Sequence, residues 1–333
     1  MSKATKKLLA QLIKILFSAG IIYWLVSSGK LNFSALKSLL SPTALAVASL
    51  LVLLNVFFAS ERWRILIRSQ SVEAKAWPVF KLSLIGSFFN FAMPGGVGGD
   101  VVKAFYFTRE YPDTKVTAVT SVLMDRILGL FAMTSLAFVV MVYDFKHIST
   151  NSTLMTLFWF ILALIIGFVI GLSVIFSSLV FEKQWLFKAI EKLPLSAKFE
   201  KLYRSMHLYG KDGNRFLLVI IASLLSQLCS ILFLWLAGTM AGFTDIPATT
   251  YFLVAPLGFM ATAIPISPAG VGVGQAAFYL LFNLYTSEPS EVGPTVITAF
   301  QVATFLLSLF GAVFYLRQKD KKQLSQINEA IGN

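Results

Sequence analysis

The chain has 333 residues, 57% of them hydrophobic and only 13% charged, with a mean hydropathy of +0.76, which excludes an ordinary soluble domain and reads as a polytopic membrane protein. The formal net charge of +12 would suit nucleic acid. The basic residues gather between apolar runs, however, so anionic lipid headgroups are the expected neighbours and no nucleic-acid partner is read.

Residues 8–26 form the first predicted span. Lys3, Lys6 and Lys7 precede it as they would a signal peptide, but the apolar run continues past Gly20 and carries Lys14, so it reads as an uncleaved span. Residues 42–60 form the second, with Pro42 tolerated in the first turn. Glu61-Arg62-Trp63-Arg64 and Arg68 follow and read as a positive-inside anchor. Residues 79–107 form a broken element. Pro94-Gly95-Gly96-Val97-Gly98-Gly99-Asp100 interrupts its apolar run, and four glycines and a proline deny the backbone a regular helix there. Within lipid, such backbone survives only when buried in protein or lining a wet cavity.

Residues 116–143 form the third span and carry Asp125-Arg126 within it. Residues 153–181 form the fourth, and the basic, amphipathic stretch 182–215, with Trp185, Phe187 and Pro194, is expected on the membrane surface. Residues 216–244 form the fifth span. Residues 249–285 form a second broken element, in which Pro268-Ala269-Gly270-Val271-Gly272-Val273-Gly274-Gln275 echoes the first break. Residues 292–316 form the sixth span, and 317–333 a short polar tail. Cys229 is the single cysteine, His147 and His207 lie far apart, and no Cys/His spacing suggests zinc, so no metal or cofactor is expected.

Loop charges set the topology. If both broken elements return to their own side and the N-terminus lies inside, the inside segments hold 22 Lys/Arg, against Lys30, Lys37 and Lys146 outside. If the first element crossed once, the count would become 8 inside against 17 outside. The expected fold is therefore an all-α integral membrane protein with six spans and two re-entrant hairpins, entering from opposite sides as an inverted-topology repeat. It forms one domain over 1–333: a first half over about 8–181, a linker over about 182–215, a second half over about 216–316 and the tail.

Chemistry is expected at the two breaks. A Gly-rich turn opening a helix presents backbone N–H groups and a positive dipole end, which suits an anion such as a lipid phosphate, with Lys103 one turn on. Asp100 would compete for those N–H groups; its alternatives are to cap the helix, to pair with Lys103 or to contact a cationic headgroup. The glycines also suit close helix packing alone. Asp125 and Arg126 are costly inside a membrane and point to a cavity or to partners, with Lys103 or Lys81 as candidates for Asp125; snorkelling to the cytoplasmic surface is the alternative. Gln275, at the second break, fits either a ligand contact or an interhelical hydrogen bond.

Pro94 to Asp100, Ser121-Val122-Leu123-Met124-Asp125-Arg126 and Pro265-Ile266-Ser267-Pro268-Ala269-Gly270-Val271-Gly272 together resemble the lysylphosphatidylglycerol synthase transmembrane-region family, also called flippase-like. The likeness covers roughly residues 8–316 and extends to the membrane half of the multiple peptide resistance factor. It implies a domain that moves a lipid between leaflets, without the soluble aminoacyltransferase, for which the tail and loops are too short. Lys103 stands where the family often has Arg, Gln275 where it often has Glu, and Ala269 where it often has Gly. Lys103 keeps the charge but lacks bidentate phosphate geometry, and Gln275 removes a carboxylate that would favour a cationic substrate.

The reading is a bacterial inner-membrane lipid flippase or transporter with both termini cytoplasmic. Its substrate-binding residues are Pro94, Gly95, Gly96, Gly98, Gly99, Asp100, Lys103, Asp125, Arg126, Pro268, Gly270, Gly272 and Gln275. The expected partners are membrane lipids with a phosphate-bearing headgroup, with a lipid-modifying enzyme as a further candidate. The alternatives are a membrane glycosyl- or acyltransferase and a non-transporting partner of such an enzyme.

Overall fold

The structure, a computed structural model, describes residues 40–92, 98–181, 196–264, 266–286 and 290–331, with isolated positions 20, 23 and 27. Apart from positions 20 and 23, the expected first span, 8–26, lies outside the described residues, as do Pro94, Gly95 and Gly96. Ten helices of at least ten residues are described: α1 (Pro42–Arg68), α2 (Ala76–Ala92), α3 (Gly98–Glu110), α4 (Lys115–Tyr143), α5 (Ser152–Phe176), α6 (Ser196–His207), α7 (Gly213–Met240), α8 (Ala248–Thr262), α9 (Val273–Thr286) and α10 (Val292–Ile331). Five are long and apolar enough to cross a membrane: α1, α4, α5, α7 and the stretch Val292–Arg317 of α10. These match five of the six expected spans, and the protein is an α-helical multi-pass membrane protein.

Local chemistry sets the helix starts. Ser41 caps α1, its side chain accepting from the Ala44 N–H, and Pro42 fills the first turn. Asn151 caps α5 through the Thr153 and Leu154 N–H groups. Asp212 caps α7 through the Arg215 N–H. The fourth span ends early, because helix α5 stops at Phe176 and Ser177 is extended.

The two broken elements are helical hairpins. In the first, α2 packs against α3; in the second, α8 packs against α9. The arms have 17, 13, 15 and 14 residues. At 1.5 Å per residue these arms are about 20–25 Å long, shorter than the roughly 30 Å hydrocarbon core. Glycine closes the first hairpin: a Cβ on Gly99 would stand 2.0 Å from the Gly86 carbonyl oxygen, so only a bare backbone permits this approach.

Helix α7 runs through the middle, packing on α1, α4, α8 and α10, while α10 braces α2 and α9. One apolar cluster joins α4, α5, α7, α8, α9 and α10, with Tyr251, Phe278 and Phe282 fully buried. Another joins α1, α2 and α3 around Trp63, Ile85 and Phe107. The 182–215 stretch departs from a purely surface role. Its described helix α6 packs on α4 and α5, Ser205 lies 3.0 Å from the Thr120 hydroxyl, and His207 Nδ1 lies 3.0 Å from the Ile175 carbonyl oxygen.

Gly311 sets the contact between α10 and the first hairpin, since a Cβ there would meet the Leu84 carbonyl oxygen at 2.1 Å. Gly311→Leu is expected to cost about 1–3 kcal/mol of stability through overpacking. The check is the thermal unfolding midpoint of the detergent-solubilised protein; an unchanged midpoint would refute this close approach.

Candidate functional site

Helix α4 enters the bundle beside α1 and α3, and Asp125 sits on its inner face. The residue is 8% exposed and turned into the bundle rather than to its surface. Arg62 Nε of α1 donates to its Oδ1 at 2.7 Å, and Lys103 Nζ of α3 lies 3.6 Å from Oδ2. Both cations are buried as well, at 9% and 8% exposed. A lone charge at this depth would cost several kcal/mol, and a carboxylate shared by two cations answers part of that cost.

The neighbours are shaped to hold this triad. Gly129, one turn beyond Asp125, leaves the slot for the guanidinium: a Cβ there would stand 3.1 Å from Arg62 Nη1. The Lys103 ammonium lies 3.9 Å above the ring of Trp63, a cation–π contact. Trp63 is fully buried, donates through Nε1 to the Ser121 hydroxyl at 3.1 Å and packs on Phe107.

The next residue of α4, Arg126, turns elsewhere and pairs through Nε with Asp100 in the first turn of α3. This pair is the more open one, with side chains 36% and 19% exposed. Arg62, Asp100, Asp125 and Arg126 border a cavity of about 380 Å³, completed by Asn55, by Ser226, Gln227 and Ser230 of α7, and by Phe259 and Phe300. Three cations, Arg62, Lys103 and Arg126, face two carboxylates, which leaves one formal positive charge.

A second chamber of about 220 Å³ lies on the other side of Arg126. Its polar lining is mostly uncharged: Ser87 and Asn90 of α2, Thr262 of α8, and Gln301 and Thr304 of α10. Arg126, Phe259, Ala263 and Phe300 border both chambers, and the two phenyl rings lie 5.1 Å apart between centroids.

The backbone of each break is held by an amide side chain. The Gly99 N–H donates to Asn90 Oδ1 at 3.0 Å. The Gly272 N–H donates to Gln275 Oε1 at 2.7 Å, while Gln275 Nε2 donates to Gln301 Oε1 at 2.7 Å and Thr298 Oγ1 at 3.1 Å. Gln301 Nε2 reaches the Ala269 carbonyl at 3.4 Å. Pro268 to Gly270 form a single 3₁₀ turn, with Ala269, Gly270 and Gly272 at φ of 47°, 71° and 84°. Ala269 therefore occupies a left-handed conformation that glycine adopts at lower cost.

The structure brings Asp100, Lys103, Asp125 and Arg126 together, with the suggested Asp125–Lys103 pairing present and the others different. Asp100 pairs with Arg126 rather than Lys103, and Asp125 with Arg62 and Lys103 rather than Lys81. Gly98 opens α3, and the Gly99 N–H, expected to face an anion, is already engaged by Asn90. Gln275 is 1% exposed and takes the interhelical alternative, one residue away from the chamber that Gln301 borders. Sequence reasoning missed Arg62, which read as a surface anchor beside Arg64 and Arg68. It also missed Asn55, whose Nδ2 donates to the Ser226 carbonyl at 2.8 Å and the Ser230 hydroxyl at 2.8 Å. A lone amide in the middle of an apolar span was the available signal.

Comparison with known proteins finds a match over residues 11–311 to the family described as Lysylphosphatidylglycerol synthase TM region. Two relatives come from Methanocaldococcus jannaschii. The UPF0104 membrane protein MJ1595 is 24% identical over 348 residues, covering 96% of this chain and 98% of its own. The UPF0104 membrane protein MJ1078 is 24% identical over 243 residues, covering 70% and 95%. No solved structure matches the chain.

Asp125→Ala is expected to cost about 3–5 kcal/mol, because it leaves Arg62 and Lys103 buried without their anion. The triple change Arg62→Met, Lys103→Met and Asp125→Leu, which removes all three charges, should recover most of that loss. Thermal unfolding of these two variants and the wild type in detergent checks the triad, and equal losses in the single and triple variants would refute it.

Proposed function

The chain belongs to the lysylphosphatidylglycerol synthase TM region family, and from that premise we propose that it is a lipid flippase that carries a phosphate-bearing headgroup between leaflets. The observation that carries this reading is the cavity buried among spanning helices, bordered by Arg62, Asp100, Asp125 and Arg126, with Lys103 behind Asp125 as the cation in excess. Charges at such depth are expensive and mark a substrate path. An anionic phosphate ester balances the excess positive charge, and the surrounding amides and hydroxyls of Asn55, Ser226, Gln227 and Ser230 suit the remainder of a headgroup.

The two pairs divide the work. Arg62–Asp125–Lys103, deeply buried and braced by Trp63 and Gly129, fixes the relative positions of α1, α3 and α4. Arg126–Asp100, more open and bordering both chambers, meets the substrate. Both carboxylates are paired with cations, an arrangement suited to holding charge rather than relaying a proton, and this favours a carrier over a transferase.

The hairpins are read as re-entrant, one from each side of the membrane. Their arms are short, both tips are held by an amide (Asn90 in one, Gln275 in the other), and the Lys/Arg bias favours chain ends on the inside. On this reading the single domain has six spans and works in the plasma membrane with cytoplasmic termini, and one half rocks against the other around Arg126.

Proteoliposomes with fluorescent phospholipids and a membrane-impermeant quencher test this. Arg126→Gln is expected to slow flipping by about 10–100-fold, the loss of one charge-assisted contact of about 1.5–3 kcal/mol. Wild-type protein that flips phosphate-bearing lipids no faster than protein-free vesicles do would end the proposal.

A further inference from the structure

We infer that the pocket at the far end of α4 from Asp125 binds a primary ammonium group. The proposal goes beyond the flippase reading and does not rest on it. The pocket holds about 430 Å³. Asp144 and His147 border it just past the end of α4, Asp245 just before α8, Thr250 in the first turn of α8, and Tyr285 near the end of α9. Asp144 lies about 28 Å further along the chain axis of α4 than Asp125, so this is a separate place from the charged cavity.

Thr250 points to a ligand. It is 0% exposed, yet its hydroxyl has no hydrogen-bond partner among the described residues. A buried hydroxyl left unpaired is costly. Helical hydroxyls in this protein commonly bond the carbonyl one turn back, as Thr286 does to Phe282 at 2.8 Å. Thr250 stands in the first turn of its helix and has no helical turn behind it. It borders the pocket instead.

The charges around that hydroxyl call for a cation. Two carboxylates border the pocket, and no Lys or Arg does among the described residues. Asp144 is held from behind. The Tyr285 hydroxyl donates to its Oδ2, and His147 Nε2 in turn donates to the Tyr285 carbonyl at 2.9 Å. Asp144 Oδ1 is left without a partner among the described residues, and so is Asp245, which is exposed at the rim. Helices α4 and α9 end here and α8 begins here, so two negative dipole ends face one positive end. At about half a charge each, with the imidazole neutral, they leave the pocket at about −2.5 elementary charges.

An ammonium suits these groups better than a metal ion does. Calcium takes roughly six to eight oxygens and zinc about four ligands. Among the described residues, no three Asp, Glu, His or Cys side chains come together to hold a metal. A primary ammonium carries three N–H donors. The pocket offers Asp144 Oδ1, Asp245 and the Thr250 hydroxyl as acceptors, and Ile246 and Pro247 beside them suit the adjoining methylene groups.

Two arms on the full-length protein test the site and separate a soluble amine from a lipid headgroup. In the first, protein in nanodiscs of phosphatidylglycerol alone is titrated with ethylammonium, tetramethylammonium and calcium by calorimetry. In the second, nanodiscs mix phosphatidylethanolamine, phosphatidylcholine and phosphatidylglycerol, and retained lipids are counted by native mass spectrometry. The expected result is a preference of about tenfold for the primary ammonium over its quaternary counterpart, the effect of losing the N–H donors. Seen in the first arm it assigns a soluble amine, and seen only in the second it assigns a lipid headgroup. Asp245→Asn, at an exposed position that folding does not need, should lower the preference about tenfold, and Thr250→Val about threefold. Equal binding of primary and quaternary forms in both arms, a preference that survives both substitutions, or calcium binding in place of the amine would overturn the site. Neither arm needs transport, so the result is independent of whether the protein flips lipid.

Discussion

The protein depends on one carboxylate buried among its helices. Asp125 holds Arg62 from α1 and Lys103 from α3 against α4, and none of the three could be buried without the others. Burial strengthens the attraction between unlike charges and raises the cost of each charge left alone. The triad is therefore a constraint on geometry more than a source of net stability. It fixes where α3 must start, and so where the first hairpin ends and where Asp100 meets Arg126.

The hairpin tips meet a related constraint on the backbone. A helix that stops inside a membrane leaves unsatisfied N–H and C=O groups, and no water is at hand for them. Both tips answer with a side-chain amide. Asn90 takes the Gly99 N–H, and Gln275 takes the Gly272 N–H while anchoring itself to Gln301 and Thr298. Glycine serves packing first at Gly99, where the approach to Gly86 leaves no room for a side chain. The polar atoms that line the chambers are thus side chains more than backbone.

Much of the fold was legible because membrane insertion writes itself into local composition. Residues 42–60, 116–143, 216–244 and 292–316 are apolar runs of spanning length and became α1, α4, α7 and α10. The breaks were visible as Gly/Pro clusters inside such runs. Asp125 and Arg126 stood out as charges where charges are rare. Their partners did not, because pairing across the bundle leaves no local trace: Arg62 and Asp125 are 63 residues apart, and Arg62 sits among basic residues that look like a surface anchor. Its neighbour Arg64 does pair locally, with Glu61, and is the ordinary anchor that the whole cluster resembled. Gln275 was visible as a polar residue, but its choice of Gln301 over a ligand depends on how α10 packs.

Phe259 and Phe300 stand in the wall shared by the two polar chambers. A polar path through a membrane threatens the electrochemical gradient, because protons hop along any unbroken file of water. Two phenyl rings in mutual contact interrupt such a file, since hydrocarbon constrictions of this kind dewet. The rings narrow the meeting of the two chambers to the neighbourhood of Arg126 and Ala263, which border both. On the carrier reading the same rings would have to yield to a headgroup, so the tightness of the insulation and the speed of passage would be set by the same pair of side chains.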